Sequence, residues 1–207
     1  MEQTYAIELK NITKRFGKIV ANDGINLKVK RGEILSLLGE NGSGKTTLMN
    51  MISGIYFPDE GRILVDGKAV SIRSPKDSFD LGIGMIHQHF KLIDVMTAAE
   101  NIILGLKGNA VLDMKKVHKD IQELVDRYGF DLDPAQKVYT MSVSQKQTVE
   151  IVKMLYRGAN ILILDEPTAV LTPQEVDKLF EVLRNMRDDG RAIIIITHKL
   201  NEVLELS

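Results

Sequence analysis

The alternation of apolar and polar residues near the N-terminus predicts a small antiparallel sheet. Residues 6–12 alternate between the two classes, which predicts an edge strand, and residues 25–30 repeat the pattern. Residues 13–18, which lie between them, are mostly polar and predict a turn. Residues 62–65 predict another strand, and the Asp-Gly pair at 66–67 is a hairpin signal. These segments are therefore expected to pair as antiparallel strands.

Short apolar runs elsewhere in the chain predict a second, parallel sheet. Ile34–Leu38 is expected to be a strand buried on both faces, and residues 84–87 a second short core strand. Residues 161–166 are an apolar run that ends in two carboxylates, and the isoleucine-rich residues 192–197 predict a central strand. Helical segments separate these runs, so right-handed crossovers between parallel strands are expected. The predicted fold class is α/β.

Helical periodicity marks the remaining long segments. Residues 47–53 predict a helix, and Gly54 stands where a left-handed C-terminal cap belongs. Residues 142–157 and 173–187 predict two further helices. Between residues 96 and 129, apolar side chains recur at helical spacing opposite a charged face, which indicates an inserted helical subdomain. The apolar stripe consists of Met114, Val117, Ile121, Leu124, Val125 and Tyr128.

A glycine-rich segment between the first apolar strand and its helix fits the phosphate-loop pattern. Backbone N–H groups and the positive end of the helix dipole would surround an anion there. Lys45 is expected to meet the β- and γ-phosphates of a nucleotide, and the Thr46 hydroxyl a magnesium ion. The candidate nucleotide-binding residues of this loop are Gly39, Glu40, Asn41, Gly42, Ser43, Gly44, Lys45, Thr46 and Thr47.

Polar side chains at the ends of the other apolar strands suggest chemistry at the same edge of the sheet. Asp165 follows four apolar residues and is expected to hold the magnesium through water. Glu166 is the candidate to orient or deprotonate an attacking water, because neighbouring strand residues point to opposite sides. His198 lies where it could contact a γ-phosphate, and Gln88 offers a neutral amide to the magnesium or the water.

Composition limits the classes of protein that fit. The chain has 207 residues, of which 44% are hydrophobic, and its net charge of −1 gives no argument for nucleic acid or an acidic membrane surface as a partner. It contains no cysteine, which excludes disulfides and thiolate metal sites. His87 and His89 lie close together but suggest a metal site only weakly. No apolar run reaches the ~18 residues that a membrane span requires.

Taken together, these motifs resemble the nucleotide-binding domain of an ABC transporter over essentially the whole chain. The resemblance implies that Phe16 stacks on adenine, that Gln88 is the loop glutamine between core and helical subdomain, and that His198 is the switch histidine. It gives Asp165 and Glu166 the roles of magnesium aspartate and catalytic glutamate. The wording of residues 84–92 and 166–173 is similar to the first domain of tandem ATPases that drive simple-sugar and nucleoside importers.

Two segments depart from the family pattern. The family's signature has leucine, serine, two glycines and glutamine, whereas residues 141–145 here are Met-Ser-Val-Ser-Gln. The resemblance implies that this segment contacts ATP held by the opposite domain, through Ser142, Val143, Ser144 and Gln145. A side chain on Ser144 could obstruct close approach or add a hydrogen-bond donor. Thr172 replaces an aspartate that many relatives use to signal across the dimer.

The resemblance also implies a division of the chain. Residues 1–88 and 158–207 are expected to form the core together with the antiparallel β subdomain, and residues 89–157 the helical subdomain. Because the family normally continues past the helix that begins near residue 199, we expect a nucleotide-binding domain that is truncated at its C-terminus. As a fragment it is expected to be soluble.

The function implied is ATP binding and hydrolysis, with ATP and Mg²⁺ bound, that powers import by an ABC transporter of simple sugars or nucleosides. The implied partners are a second nucleotide-binding domain, transmembrane permease subunits and an extracytoplasmic substrate-binding protein, with no nucleic acid. The expected location is the cytoplasmic face of the membrane. Two alternatives stay open: a soluble ABC ATPase that acts on ribosomes or DNA, and a nucleotide-binding clamp with little hydrolysis.

Overall fold

Two four-stranded sheets form the framework of the domain. The computed structural model describes residues 5–88, 90–106 and 113–206. In chain order the strands are β1 (Ile7–Phe16), β2 (Ile19–Val29), β3 (Ile34–Leu38), β4 (Glu60–Val65), β5 (Lys68–Val70), β6 (Ile83–Ile86), β7 (Ile161–Asp165) and β8 (Ala192–Thr197). The helices are α1 (Lys45–Ile52), α2 (Pro75–Asp80), α3 (Ala98–Ile103), α4 (Met114–Tyr128), α5 (Val143–Tyr156), α6 (Pro173–Asp188) and α7 (Leu200–Leu206).

The first sheet is antiparallel, in the order β2-β1-β4-β5, as the alternating segments predict. Two details of the prediction are wrong. Strand β1 lies between β2 and β4 and is not an edge strand, because alternation reports a single buried face and not the number of neighbouring strands. Residues 13–16 continue β1, and the turn is confined to Gly17 and Lys18. The charged side chains among them form ion pairs, Lys14 with Asp59 and Arg15 with Glu60.

The second sheet is parallel throughout, in the order β3-β8-β7-β6, and confirms the predicted α/β class. Strand β8 is central and fully buried, as expected. Strand β3 has the predicted bounds but is only partly buried, and Leu38 is 44% exposed. The expectation that both of its faces would be buried is wrong because β3 is an edge strand of this sheet.

Two apolar clusters fill the spaces on either side of the parallel sheet. One lies between this sheet, α1 and the antiparallel sheet, and it includes Ile7, Met49 and Ile194. The other joins the parallel sheet to α6 and to the helical segment, and it includes Tyr128 and Phe180. Burying such side chains stabilises the fold by roughly 1.5–3 kcal/mol each. The parallel sheet is thereby held from both faces.

The helical segment contains α3, α4 and α5. The predicted stripe of α4 is confirmed: Val117, Ile121, Val125 and Tyr128 are buried. Helix α5 begins after Ser142, which caps it in a capping box with Gln145. Within the described ranges, no helix is both long enough and apolar enough to cross a membrane.

Candidate nucleotide-binding site

The phosphate loop connects β3 to α1 and takes its shape from two glycines. Gly42 and Gly44 have φ of +84° and +86°, a conformation that favours glycine. Gly44 is the N-cap of α1, and no side chain caps the first turn of the helix. The N–H groups of that turn are therefore left for an anion, which the helix dipole also attracts.

Lys45 is buried in the mouth of the loop, with 9% of its surface exposed. Its ammonium donates to the carbonyl oxygens of Gly39 and Glu40, at 2.7 Å each, and lies 3.3 Å from the Ser43 hydroxyl. These three acceptors occupy all three N–H groups of the ammonium. The loop thus holds a positive charge in place before any phosphate enters, and a phosphate oxygen would replace one of these acceptors.

The antiparallel sheet braces the loop from below. A Cβ built on Gly44 would lie 2.4 Å from the carbonyl oxygen of Ala21 and 2.9 Å from the amide nitrogen of Asn22. Asn22 is buried, and its side-chain N–H donates to the Gly44 carbonyl at 3.3 Å. Strand β2 and the loop therefore touch backbone to backbone. The sequence pattern carried no signal for this contribution of Asn22.

An open cavity of about 360 Å³ lies over the loop. Its volume is in the range of small-molecule and cofactor sites. One side is the phosphate loop from Asn41 to Thr47, another is formed by Ile19 and Val20, and Glu166 stands at the third. The predicted loop residues Lys45 and Thr46 and the predicted Glu166 therefore face one space.

Thr46 and Asp165 meet beside this cavity. The Thr46 hydroxyl donates to Asp165 Oδ2 at 3.5 Å, although the residues are 119 positions apart in sequence. Burial raises the pKa of the Asp165 carboxyl above its ordinary value, and the charge of Glu166 raises it further. A buried carboxylate next to a second one favours a bound cation.

A hydroxyl and a carboxylate are the hard oxygen donors that Mg²⁺ prefers, so this pair fits the ion. Within the described residues, no group of three or more His, Cys, Asp or Glu side chains is arranged to hold a metal.

Glu166 leaves the strand in a strained conformation. Strand β7 ends at Asp165, and Glu166 has φ of +48°, which is uncommon for a residue with a side chain. Its N–H donates to the Ile196 carbonyl of β8 at 2.9 Å. Glu166 is therefore outside the strand, and the alternation along a strand that the sequence prediction used does not extend to it. Strain of this kind clusters at functional sites.

His198 lies against Glu166. Its Nδ1 is 3.1 Å from Glu166 Oε1, and its side chain is 47% exposed, against 18% for that of Glu166. The parallel pairing of β7 and β8 places the ends of both strands side by side. The structure therefore brings the predicted histidine and the predicted glutamate together.

Gln88 and Phe16 are not among the described residues that line the cavity over the loop. Gln88 is exposed and lines a small cavity of about 20 Å³ together with Asp165 and Glu166. Phe16 is 41% exposed and packs edge to face against Tyr56 at 5.2 Å. Ile19 and Val20 line the cavity over the loop, whereas Phe16 is not among the described residues that line it.

His87 is half-buried, and burial followed by the charge of Lys91 lowers its pKa. A lowered pKa keeps the imidazole neutral. His87 lines two cavities: one contains mostly apolar and cationic neighbours, and the small one of about 20 Å³ also contains Asp165 and Glu166. His89 lies outside the described residues. Metal binding by the pair stays the weak suggestion that the sequence makes.

The signature residues lie at a different place. Ser142, Ser144 and Gln145 line a cavity of about 330 Å³ between α5 and α6, and no described residue lines both this cavity and the one over the phosphate loop. Val143 is exposed. The Gln145 side-chain oxygen accepts from the Ser142 N–H at 3.1 Å, and the backbone N–H of Gln145 donates to the Ser142 hydroxyl at 3.2 Å. This capping box holds the segment as the start of a helix.

Thr172, which stands in place of an expected aspartate, has a structural role. It caps α6: the Glu175 N–H donates to its hydroxyl at 3.4 Å, and its own N–H donates to the Glu175 carboxylate at 2.9 Å. Threonine and aspartate both serve as N-caps. The substitution therefore keeps the helix start.

Comparison with known proteins identifies the family. The model of the ABC transporter family matches residues 22–169. The chain is 52% identical over 205 residues to the nucleoside import ATP-binding protein of Lactococcus lactis, covering 98% of this chain and 40% of that protein. It is 53% identical over 192 residues to the guanosine import ATP-binding protein of Bacillus subtilis, covering 92% and 38%. The chain thus spans about two fifths of these relatives.

Solved structures agree with the fold. An ATP-binding cassette of an ABC transporter in its ADP conformation superposes with a TM-score of 0.86 at 26% identity, over 98% of this chain and 84% of that one. A dimeric bacterial ABC transporter cassette gives a TM-score of 0.78 at 29% identity, over 95% and 89%. With the family model, the relatives and the geometry of the loop in agreement, this chain belongs to the ABC transporter family of ATPases.

Proposed function

We propose that this chain is the first nucleotide-binding domain of an import ATPase, and that it binds and hydrolyses ATP to drive uptake of nucleosides or simple sugars. The single observation that carries the hydrolysis is one cavity lined by Lys45, Thr46 and Glu166, where Asp165 contacts Thr46 and His198 contacts Glu166. A clamp that only bound nucleotide would not need the strained Glu166.

Each side chain has a role that its contacts support. The Lys45 ammonium, already held by two carbonyls, stabilises charge on the β- and γ-phosphates. Thr46 and Asp165 would hold Mg²⁺, which neutralises phosphate charge when bound. Glu166 orients the attacking water and accepts its proton. His198 contacts Glu166 through Nδ1, and an N–H at its Nε2 would donate to the γ-phosphate. Gln88, beside Asp165 and Glu166, is proposed to reach the magnesium or the water.

Adenine is proposed to rest on the apolar side of the cavity. Phe16, exposed at the end of β1, would stack on the ring, and Ile19 and Val20 would border it. The other residues of the loop, Gly39 to Thr47, would surround the phosphates. The division into a core (1–88 and 158–207) and a helical subdomain (89–157) is proposed to let the two parts move with the nucleotide.

Substitution of Glu166 tests hydrolysis. Glu166→Gln should retain MgATP binding and lose at least about 10²-fold in kcat, since a positioned general base contributes typically 10²–10⁴-fold. Glu181→Gln, on the exposed face of α6, is the matched control and should turn over like the parent. Parental turnover in Glu166→Gln would remove Glu166 from this role.

The transported compound is proposed from the relatives. Identity to the proteins named for nucleoside and guanosine import is 52–53%, against 47% to a glucose import ATP-binding protein of Haloferax volcanii and 43–46% to two ribose import ATP-binding proteins. This difference favours a nucleoside. Radiolabelled nucleoside and ribose uptake, in a strain that lacks this protein, tests the choice: loss of ribose uptake alone would contradict it.

A second nucleotide-binding domain and transmembrane permease subunits are the proposed partners, at the cytoplasmic face of the membrane, with an extracytoplasmic substrate-binding protein in the full system. Two observations support these partners: the relatives are named import ATP-binding proteins, and the cavity lined by Ser142, Ser144 and Gln145 is separate from the one over the phosphate loop. Ser142, Val143, Ser144 and Gln145 would contact ATP held by the other domain. Ser144→Gly should then change turnover at the partner's site more than ATP binding at Lys45.

A ribosome- or DNA-directed ATPase would behave differently. Permease subunits should co-purify with the protein from detergent-solubilised membranes. Co-purification with ribosomes, or turnover stimulated by DNA, would support the other class and contradict the importer.

A further inference from the structure

A buried carboxylate lies behind the Glu166–His198 pair. Glu202 is in the first turn of α7, four residues after His198, and its side chain is only 9% exposed. The same short helix exposes Leu200 at 56% and Leu204 at 70%. A charge that is buried while apolar neighbours face solvent requires partners that repay its desolvation.

Two threonines and a lysine supply those partners. The Thr168 hydroxyl donates to Glu202 Oε1 at 2.5 Å, and the Thr197 hydroxyl donates to Oε2 at 2.8 Å. Lys199 Nζ lies 3.0 Å from Oε1 and also donates to the Thr168 carbonyl at 3.2 Å. Burial raises the pKa of the carboxyl, but the hydrogen bonds from Thr168, Thr197 and Lys199 outweigh it, and the pKa lies below its ordinary value. Glu202 is thus ionised and fully engaged.

The two threonines belong to the segments that carry Glu166 and His198. Thr168 is two residues beyond Glu166, and Thr197 immediately precedes His198. The two oxygens of one carboxylate therefore tie together the two segments that carry the Glu166–His198 contact. The Thr197 hydroxyl is itself oriented, because it also accepts from the Lys199 N–H at 3.1 Å.

Glu166 needs such support. Its left-handed backbone persists only where the surroundings determine it. One constraint is the bond from its N–H to the Ile196 carbonyl, and the Ala169 N–H donates back to its carbonyl at 3.2 Å. The Glu202–Thr168 bond fixes the same turn from its far side.

We propose that Glu202 is a positioning residue for ATP hydrolysis, which holds the Glu166 turn and the His198 segment at their contact distance through Thr168 and Thr197. This inference rests on the proposed ATPase function. Glu202 does not line the cavity over the phosphate loop in the part of the chain that the structure describes, so its effect passes through Glu166 and His198 and leaves nucleotide binding alone.

The test measures kcat and KM for ATP in the same assembled form in which the parent protein turns over. Glu202→Gln keeps the shape but can accept at one oxygen only, so one threonine loses its partner. We expect kcat to fall about 10-fold or more, with KM and the Kd for ATP within about 2-fold of the parent, because a full displacement of a catalytic group by ~1 Å can cost about 10²-fold in rate. Glu205→Gln, on the exposed face of α7, is the matched control and should match the parent.

Thr168→Val and Thr197→Val remove one donor each without changing the charge, and they keep the inference testable if Glu202→Gln does not fold. Each should lower kcat with KM unchanged, and Thr168→Val should add little in the Glu202→Gln background. The inference would be overturned by a parental kcat in folded Glu202→Gln or in either valine variant. It would also be overturned if these variants lost kcat/KM only through a higher KM. A parent and Glu166→Gln that are equally inactive would instead contradict the proposed ATPase function itself.

Discussion

The contact between the phosphate loop and strand β2 makes a sharp prediction about Gly44. In Gly44→Ala the new Cβ would lie 2.4 Å from the Ala21 carbonyl oxygen, a distance that side chains do not adopt. The backbone there has φ of +86°, so the side chain also meets the left-handed penalty. The substitution therefore combines a steric clash with an unfavourable backbone conformation. Alanine substitutions at two other glycines separate these two effects.

Gly42 and Gly158 are the matched controls. Their φ values are +84° and +86°, and a Cβ on either meets nothing within 4 Å. The left-handed conformation costs roughly 1–2 kcal/mol in each of the three alanine variants. Overpacking adds about 1–3 kcal/mol in Gly44→Ala alone. We therefore expect losses in the free energy of unfolding of about 2–5 kcal/mol for Gly44→Ala and about 1–2 kcal/mol for each control.

Urea denaturation followed by circular dichroism measures these free energies, and thermal unfolding checks them. For a domain of this size 1 kcal/mol corresponds to about 2–4 °C in Tm, so the gap between Gly44→Ala and its controls should be resolved. Equal losses in all three variants would refute the reasoning, since they would show that the antiparallel sheet does not brace the loop at Gly44.

Three further predictions concern Asp165 and Glu166 at the site and Thr172 at the start of α6. The pKa of Asp165 is raised above that of the unfolded chain, so the native state holds its proton more tightly and the free energy of unfolding falls as pH rises through these values. Asp165→Asn should therefore raise the Tm of the nucleotide-free protein at neutral pH while abolishing Mg²⁺-dependent ATP binding, and MgATP affinity of the parent should weaken as pH falls. Glu166→Gly should be about 0.5–1 kcal/mol more stable than Glu166→Ala in urea denaturation, because glycine has no left-handed penalty at φ of +48°. The greater conformational entropy that glycine loses on folding offsets part of this advantage. Thr172→Ala should cost about 1 kcal/mol by the same measurement and Thr172→Asp almost nothing, because only alanine removes the cap of α6.

Each of these has an outcome that contradicts it. A lower Tm for Asp165→Asn would show that its carboxylate stabilises the empty site. A glycine variant less stable than the alanine variant would mean that Glu166 is not held in the left-handed region. Equal stability of Thr172→Ala and Thr172→Asp would show that the side chain at position 172 does not cap α6.

The parts of the fold that the sequence predicts well are those where local pattern and tertiary environment agree. Ile34–Leu38 and Ala192–Thr197 are strands with the predicted bounds, because each is a short apolar run between polar turns. Helix α4 follows its stripe for the same reason. Helix α2 was not predicted: its Pro75–Asp80 sequence is too short to show periodicity, and only the Ser74 cap and the proline indicate it.

The position of a strand within its sheet is not a local property. The alternation of residues 6–12 describes one buried face correctly but says nothing about neighbours, and β1 proved to have strands on both sides. Similarly, the apolar run of β3 suggested burial on both faces, whereas its edge position leaves it half-exposed.

Much of the candidate site could be anticipated because its residues end strands of one parallel sheet. Parallel register alone places Asp165 opposite Ile196, and hence Glu166 and His198 just beyond the same edge of the sheet. The backbone turn of Glu166, the support from Asn22 and the network around Glu202 could not be anticipated. All three depend on contacts between residues distant in sequence, for which periodicity carries no information.

The account depends most directly on where a nucleotide binds. A crystal structure of the Glu166→Gln protein with MgATP measures this. We predict a triphosphate in the cavity over the phosphate loop, with Lys45 on the β- and γ-phosphates, Thr46 and Asp165 at the magnesium, and residue 166 and His198 at the γ-phosphate. A nucleotide bound elsewhere, or a γ-phosphate beyond the reach of both residue 166 and His198, would contradict the account.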